Sequence, residues 1–406
     1  MTTRDRLKQL TGPLPAEEAA STSCRACGAT RLIAFYEVKD VPSQTCVLLD
    51  SQAEAVAYPR GDILLAFCER CGFIQNVRFD SQLLDYSKPT EESQAFSPVF
   101  NQFANWLADE LTTRYELEGR TVLEVGCGKG DFLMLLADRG IKHGLGIDPG
   151  YLSDRISRPS GEVEFIRDWY GPKYRHLTGD LVLTRHLMEH VPNVLEFLIE
   201  LRDSVTSTEG ASLFTEVPDV ARVLRDGAFW DVYYEHCSYF TLGSLGRALG
   251  SAGFEVHWLE TGFDDQYLLA GAVPESQRSR SGAGETPEVL AQWVVAFAED
   301  AATVVARWRD EVAGVVSSGG RVAVWGGGSK AVAFLTSIGA NDVAVVDINP
   351  HKQGKWLPGA SVVVREPAHL RELRPDLVIV MNPVYRDEIA ADLASMDLAP
   401  RVAALG

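Results

Sequence analysis

The sequence predicts an α/β protein: a doubly wound sheet flanked by a small cysteine-bearing unit before it and a second α/β unit after it. Three observations carry that expectation. Between residues 86 and 270, strand-like and helix-like runs alternate: "TVLEVGC" then "DFLMLLADRG", "DLVLTRH" then "NVLEFLIELRDSV", then "ASLFTEV". That order is the signature of a doubly wound sheet. A second strand, glycine loop and helix follow in "RVAVWGGGSKAVAFLTSIG", with strands "VAVVDINP" and "PDLVIVMNP" behind them. Two C-x-x-C pairs bracket short β-like runs, "RLIAFYEV" and "GDILLAFC".

The expected divisions are a polar tail at 1–20, the cysteine unit at 21–85, the central domain at 86–274 and a C-terminal domain at 287–406. Residues 275–286, "ESQRSRSGAGET", are the linker candidate. The apolar positions of "PEVLAQWVVAFAEDAATVVARWRDEVAGVVSSG" recur at helical spacing and end in Gly-Gly.

The chain has 406 residues and a formal net charge of −18. No basic footprint for nucleic acid is visible. The first 20 residues lack the apolar core of a signal peptide, and no run looks like a membrane helix, so the cytoplasm is the expected compartment. An anionic small-molecule substrate would need local N–H groups and a few basic side chains.

"CRACG" and "CERCG" place Cys24, Cys27, Cys68 and Cys71 in two pairs, each followed by glycine. The glycine lets the chain turn its amides onto the sulfurs. Four thiolates suit structural tetrahedral zinc, and a reducing compartment favours metal over disulfides. Cys46 has no such partner and reads as a core residue.

"VLEVGCGKGDFLMLL" joins a strand to a helix through Gly126, Gly128 and Gly130. The third glycine is one place early for the dinucleotide fingerprint. Glu124 puts an acid at the carboxyl end of that strand, where a ligand with an amino group would sit. Asp148 ends the next strand and can accept both hydroxyls of a ribose. Asp168, with Trp169 beside it in "FIRDWY", is placed for an adenine amino group. This constellation resembles the class I S-adenosylmethionine (SAM)-dependent methyltransferases over about residues 105–270. The resemblance implies SAM as cofactor, with Gly126 and Gly128 near its methionine part, Asp148 on its ribose and His186 of "TRHLMEHV" near it. His190, in the same segment, reads as capping or packing.

"WDVYYEHCSYF", residues 230–240, lies after the strand "ASLFTEV" and before a helix that Thr241 is expected to cap. Connections at that end of a sheet form the ligand crevice. Over nearly the full length, the cysteine unit, SAM domain and C-terminal unit resemble the sugar C-methyltransferases of deoxysugar biosynthesis. Their Y-x-E-H motif stands here as Tyr233, Glu235 and His236. The resemblance implies that these residues line the sugar site and that His236 is the general base. A base with pKa near 6.5 can take an α-proton at neutral pH. Tyr233 could then donate to the enolate oxygen and Glu235 could orient the imidazole. In a strictly extended segment, however, Glu235 and His236 would face opposite sides. Where the family carries Y-x-Y-H-S-S, Tyr86 takes a tyrosine's place, and Glu91, Glu92, Ser93 and Gln94 replace His-Ser-Ser.

In the C-terminal unit, Gly326 to Gly328 and Ser329 can present amides to an anion, and Lys330 can add charge. Asp347 ends the following strand; Asn382 and Tyr385 are placed to reach the same crevice. This part resembles the family's C-terminal Rossmann-like domain, which implies that it contacts the sugar nucleotide. The expected function is SAM-dependent methylation of a nucleotide-linked keto or deoxy sugar, with carbon beside a ketone as acceptor. O- or N-methylation of a sugar or other natural-product intermediate is the alternative. A nicotinamide-dependent sugar oxidoreductase is the rival of another class. The sugar, the nucleotide, the methylated atom and the oligomeric state are not legible.

Overall fold

The computed structural model describes residues 6, 18, 22–30, 32–86, 88–153, 155, 162–275 and 284–406. The expected tail 1–20, apart from Arg6 and Glu18, lies outside them, as do residues 276–283 of the expected linker.

The described strands form three sheets. The first has the order β1-β2-β3-β9, from Leu32–Pro42 (β1), Arg60–Cys68 (β2), Ile74–Asn76 (β3) and Ser238–Tyr239 (β9), all antiparallel. Its fourth strand comes from the "WDVYYEHCSYF" stretch, so residues 21–85 do not complete this sheet by themselves.

The central sheet takes Thr121–Val125 (β4), His143–Ile147 (β5), Glu162–Ile166 (β6), Leu181–Arg185 (β7), Ser212–Pro218 (β8), Phe254–Gly262 (β10) and Tyr267–Pro274 (β11). Its order is β10-β11-β8-β7-β4-β5-β6, with β4 to β8 parallel and β10 and β11 antiparallel to their neighbours. The inner parallel strands are largely apolar and buried, while the edge strand β6, with Glu162 and Glu164, is not. Every parallel strand therefore ends on the same edge. Glu124, Asp148, Asp168, His186 and Glu216 all lie at or just past those carboxyl ends.

The third sheet is wholly parallel, in the order β14-β13-β12-β15-β16. Its strands are Val322–Trp325 (β12), Ala344–Val346 (β13), Val364–Arg365 (β14), Leu377–Val380 (β15) and Arg401–Ala404 (β16).

Helix ends follow their capping chemistry. Thr241 accepts the Ser244 N–H and starts Leu242–Ala252, as expected, and Thr286 with Pro287 starts Pro287–Ser317. The latter helix corrects one expectation: it is long and apolar enough to cross a membrane by length and composition. In the fold its Leu290, Val294, Phe297 and Trp308 are buried in one cluster with Phe67 of β2, Trp230, Phe334 and Ile379 of β15. This cluster ties the first sheet to the third. A second cluster joins the cysteine unit, through Cys24, Leu64 and Phe73, to one face of the central sheet.

Tyr234 shows how tightly the aromatic stretch is seated. Its ring is 1% exposed, and its hydroxyl accepts the Asp80 N–H at 2.8 Å. A Cβ on Gly61 of β2 would lie 2.3 Å from this ring. Gly61→Ala is therefore expected to destabilise the chain by roughly 1–3 kcal/mol through overpacking, read as a lowered urea midpoint. Adding Tyr234→Leu should restore part of the loss; if Gly61→Ala alone leaves the midpoint unchanged, this contact is wrong.

Candidate active site

The loop after β4 turns through left-handed glycines: φ is +76° at Gly126, +54° at Gly128 and +86° at Gly130. A side chain at Gly126 would also meet Leu187 at 2.9 Å. Its N–H donates to the Ile147 carbonyl at 2.8 Å, pinning the loop to β5. Asp148 accepts the Gly128 N–H at 3.0 Å and the Gly150 N–H at 2.6 Å. Burial raises the Asp148 carboxyl above its ordinary value, against the pull of those two amides.

Glu124 is buried, and its Oε2 has no hydrogen-bond partner. Burial raises it to about 8, although Arg185 opposes the shift. A protonated, under-partnered carboxyl at a strand's carboxyl end suits a ligand that brings its own positive charge. Asp168 behaves in the opposite way. Lys173, the Tyr174 hydroxyl (2.8 Å) and the Trp169 N–H (2.8 Å) hold it down at about 2. Trp169 is 54% exposed, and Tyr86 meets its ring edge-on with centroids 4.8 Å apart.

The segment standing where the family has His-Ser-Ser crosses this loop. Glu92 pairs with the buried Lys129 at 3.1 Å, and Ser93 Oγ donates to Asp131 at 2.9 Å. Glu91 takes Arg155 at 2.5 Å on one oxygen and the Asn349 amide at 3.1 Å on the other. Gln94 bridges the Tyr267 and Tyr385 hydroxyls, at 3.1 and 2.8 Å. These four residues thus fasten the glycine loop of the central sheet to the C-terminal unit.

His186, at φ +49°, follows β7. Its Nε2 lies 2.7 Å from Glu216 Oε1 and its Nδ1 lies 3.5 Å from Glu189 Oε1. Burial would lower this imidazole, but the two carboxylates outweigh it and raise the pKa to about 9. Glu216, which also takes Arg185 at 3.0 and 3.1 Å, is held at about 2. Its burial acts the other way, and Arg185 and His186 prevail.

Glu189 continues the chain of charges toward the aromatic stretch. Its carboxylate and the imidazoles of His190 and His236 offer ligand atoms all within 4.8 Å of one another. The His190 and His236 rings stand perpendicular, 4.8 Å apart, and Tyr233 meets His236 at 4.7 Å. Burial, then His190, lowers His236 to about 3, opposed by Glu189 and Asp231. Here sequence reasoning missed two residues: His190 was read as packing and Glu189 was passed over. The available signal was a second Glu-His pair, Glu189-His190, in the connection after β7, the strand next to β8.

Glu235 and His236 do face opposite ways. The Glu235 carboxylate accepts the Thr45 N–H at 2.9 Å and the Thr45 hydroxyl, while its main-chain carbonyl lies 3.1 Å from His190 Nδ1. The expectation that the Glu235 side chain orients the imidazole is corrected accordingly. Tyr233 differs from expectation as well: its hydroxyl donates to Asp231 at 2.7 Å. Asp231 also holds Lys330 Nζ at 2.5 and 2.6 Å and pairs with Arg222. Lys330 is therefore taken up by a carboxylate and adds no free charge to an anion site.

The loop after β12 repeats the device of the loop after β4. The Gly326 N–H donates to Val346 at 2.8 Å, and Asp347 accepts the Gly327 N–H at 2.7 Å and the Asn349 N–H at 2.8 Å. Ser329 Oγ lies 2.7 Å from Thr45 Oγ1 and 3.2 Å from the Cys46 sulfur, so this loop abuts Glu235. Asn382 is engaged by the central domain: its amide forms a reciprocal pair with Gln266 at 2.8 and 3.0 Å. The Tyr385 hydroxyl donates to Gln94 at 2.8 Å.

The four cysteine sulfurs converge. Cys24 and Cys71 are 3.6 Å apart, Cys27 and Cys68 3.7 Å, and all four lie within 4.8 Å of one another. Gly28 and Gly72 take φ of +72° and +77°, and their N–H groups donate to the main-chain carbonyls of Cys24 and Cys68, each at 2.8 Å, which closes the knuckle turns. A tetrahedral ion with sulfur bonds of about 2.3 Å requires edges of about 3.8 Å, so this set can hold zinc.

The buried Glu216 pair contributes to the acid limit of stability. Its carboxyl lies below the ordinary 4.5, so its stabilisation is present above pH 4.5 and is lost as pH falls toward 2. His186, raised from 6.5, stabilises fully below 6.5 and loses that contribution as pH rises through 9. Glu216→Gln is expected to cost roughly 3 kcal/mol at pH 7 by stranding Arg185, and to flatten the decline between pH 5 and 2. Urea unfolding across that range tests this; an unchanged acid limb sinks it.

Residues 98–259 match a family described as a methyltransferase domain, and residues 288–399 match one described as a C-methyltransferase C-terminal domain. The chain is 28% identical over 292 residues to C-methyltransferase NovU of Streptomyces niveus, covering 67% of this chain and 68% of that protein. Among solved structures it is similar to magnesium protoporphyrin IX methyltransferase from Synechocystis PCC 6803 with bound SAH. That likeness has 15% identity and a TM-score of 0.34, covering 47% of this chain and 91% of that one. It is also similar to a SAM-dependent methyltransferase from Mesorhizobium loti, with 16% identity and a TM-score of 0.31 over 42% of this chain and 97% of that one. The chain is a SAM-dependent methyltransferase with the class I fold, and its two domain matches together support a C-methyltransferase family.

Proposed function

We propose that the chain methylates carbon beside a ketone on a nucleotide-linked keto or deoxy sugar, with His236 as the proton acceptor. The observation that carries this reading is the cluster of Tyr233, His236, His190 and Glu189, joined through His186 to Glu216 on the same sheet edge that bears Glu124 and Asp148. The C-terminal domain match and the C-methyltransferase relative support carbon as the acceptor atom. SAM supplies the electrophilic methyl group; the remaining tasks fall to this chain's own residues.

Glu124, with Gly126, Gly128 and Asp148, binds and orients the cofactor. His236, lowered to about 3, is neutral at physiological pH and has a lone pair to accept a proton. Glu189 faces the imidazolium that forms and raises the ring, but burial and His190 outweigh it, so His236 is a weaker base than the free imidazole expected from the sequence and needs an acidified α-proton. The Asp231 carboxylate, fixed by Lys330 and Arg222, holds Tyr233 against the His236 ring. In this reading the sugar nucleotide lies between the central sheet and the loop after β12, near Ser329 and Asp347. Zinc in the four-cysteine cage fixes the N-terminal unit, and the compartment is the cytoplasm.

One observation favours a second reading. Glu91 to Gln94 replace His-Ser-Ser and are spent on fastening the loops, which suits a different acceptor: O- or N-methylation, where less is asked of a base. With the chain a methyltransferase, the oxidoreductase alternative is set aside.

Labelled SAM incubated with a panel of nucleotide-linked sugars, with mass and NMR analysis of product, separates the two readings. Label on carbon next to a ketone, lost by at least 100-fold in His236→Ala, is the expected result. Label on oxygen or nitrogen, or full activity in that variant, rejects the carbon reading. Cofactor binding offers a further check. Glu124 is raised to about 8, so at pH 6.5 it is mostly protonated, and pairing with an ammonium should expel about one proton. Calorimetry in buffers of different ionisation enthalpy reads that release; Glu124→Gln should abolish it and weaken binding. No proton release in the native chain would place the ammonium elsewhere.

A further inference from the structure

The Glu189, His190 and His236 side chains form more than a proton-handling group. We infer that they constitute a second metal site, distinct from the four-cysteine cage, which takes a divalent transition ion through one carboxylate oxygen and two imidazole nitrogens.

Four features argue for it. The donor set is two histidines and one carboxylate, the combination that zinc, iron, cobalt and manganese accept with positions left open for other ligands. The donor atoms already lie within 4.8 Å of one another. Ligand bonds of about 2.1 Å require separations of about 3.4 Å, and side-chain torsions of imidazole and carboxylate cover the difference. Glu189 is 2% exposed, and its Oε2 is buried without a hydrogen-bond partner. A carboxylate oxygen in that position costs free energy unless a cation or donor meets it. Finally, the outer contacts are those of ligating residues. His190 Nδ1 lies 3.1 Å from the Glu235 carbonyl, which can only accept, so the N–H sits there and Nε2 keeps the lone pair for a ligand bond. Glu189 Oε1 rests 3.5 Å from His186 Nδ1, which orients the carboxylate.

The inference rests on these side chains alone and stands whatever atom receives the methyl group. It carries a consequence for the reaction. A metal ion and a proton compete for the same lone pair on His236, so the filled site and the proton-accepting state exclude one another. Ions at this site should slow any transfer in which His236 accepts the proton.

The test uses the full chain as purified, equilibrated with Co2+ and then exchanged into metal-free buffer. Metal content is read by mass spectrometry, and coordination by visible absorption. Nitrogen and oxygen ligands give weak d–d bands without the intense thiolate-to-cobalt charge transfer of a cysteine site. The expected result is one ion per chain beyond the four-cysteine site, with affinity at least 10-fold weaker in Glu189→Gln and in His190→Ala. No additional ion in the native chain, or equal uptake by all three proteins, overturns the proposal. Should the variants fail to fold, the native chain still decides: Co2+ protecting His190 and His236 from diethyl pyrocarbonate supports the site, and unchanged modification overturns it. Metal uptake is read without turnover, so its failure is separate from failure of the carbon-methylation reading.

Discussion

Asp231 is the constraint on which the crevice depends. One largely buried carboxylate carries two cations, Lys330 and Arg222, and holds the Tyr233 hydroxyl at 2.7 Å. Burial would raise this carboxyl; Lys330 and Arg222 instead bring it to about 2. Lys330 belongs to the helix that opens the third sheet's first crossover, and Arg222 belongs to the helix after β8. A single charge thus locks the C-terminal unit against the connection that bears His236. Removing one member would leave buried charge without a partner, which is far more costly than the pair is stabilising.

The aromatic stretch acts as a junction around that charge. Trp230 and Tyr234 pack between the first and third sheets, and Phe240 packs into the cluster of the cysteine unit and the central sheet. Tyr239 pairs with Ile74 as the last strand of the first sheet. Glu235 reaches Thr45 beside Ser329. Packing and chemistry are therefore not alternatives here. A 3-10 turn at Phe229–Asp231, a bend at Tyr234 and Glu235 and the two-residue strand β9 send the side chains of this stretch to different sheets.

The legible part of this molecule is the part with local causes. Three closely spaced glycines and an acid at the next strand end mark the loop after β4, because that geometry depends on backbone freedom over a few residues. The cysteine knuckles are legible for the same reason. Glu189, the engagement of Lys330 by Asp231 and the contact of Glu235 with Thr45 are not. Lys330 and Asp231 are 99 residues apart, and Thr45 and Glu235 are 190 apart. No period or spacing records such pairs; tertiary packing alone decides them. The same limit made His190 look like packing, since its partner His236 arrives from another connection.

The borrowed strand of the first sheet has a consequence for how the chain matures. The four cysteines are complete by residue 71, yet the sheet beside them gains β9 only from residues 238 and 239. During synthesis the N-terminal unit therefore waits with one edge of β3 unpaired until most of the central sheet has been made. An unpaired edge is a template for unwanted strand pairing. The knuckles place only two residues, Phe73 and Ile74, between the last of their glycines and the middle of that short edge. Brevity protects the nascent chain during this interval: three residues offer little for another strand to copy, and closure comes with the segment that also delivers the histidine.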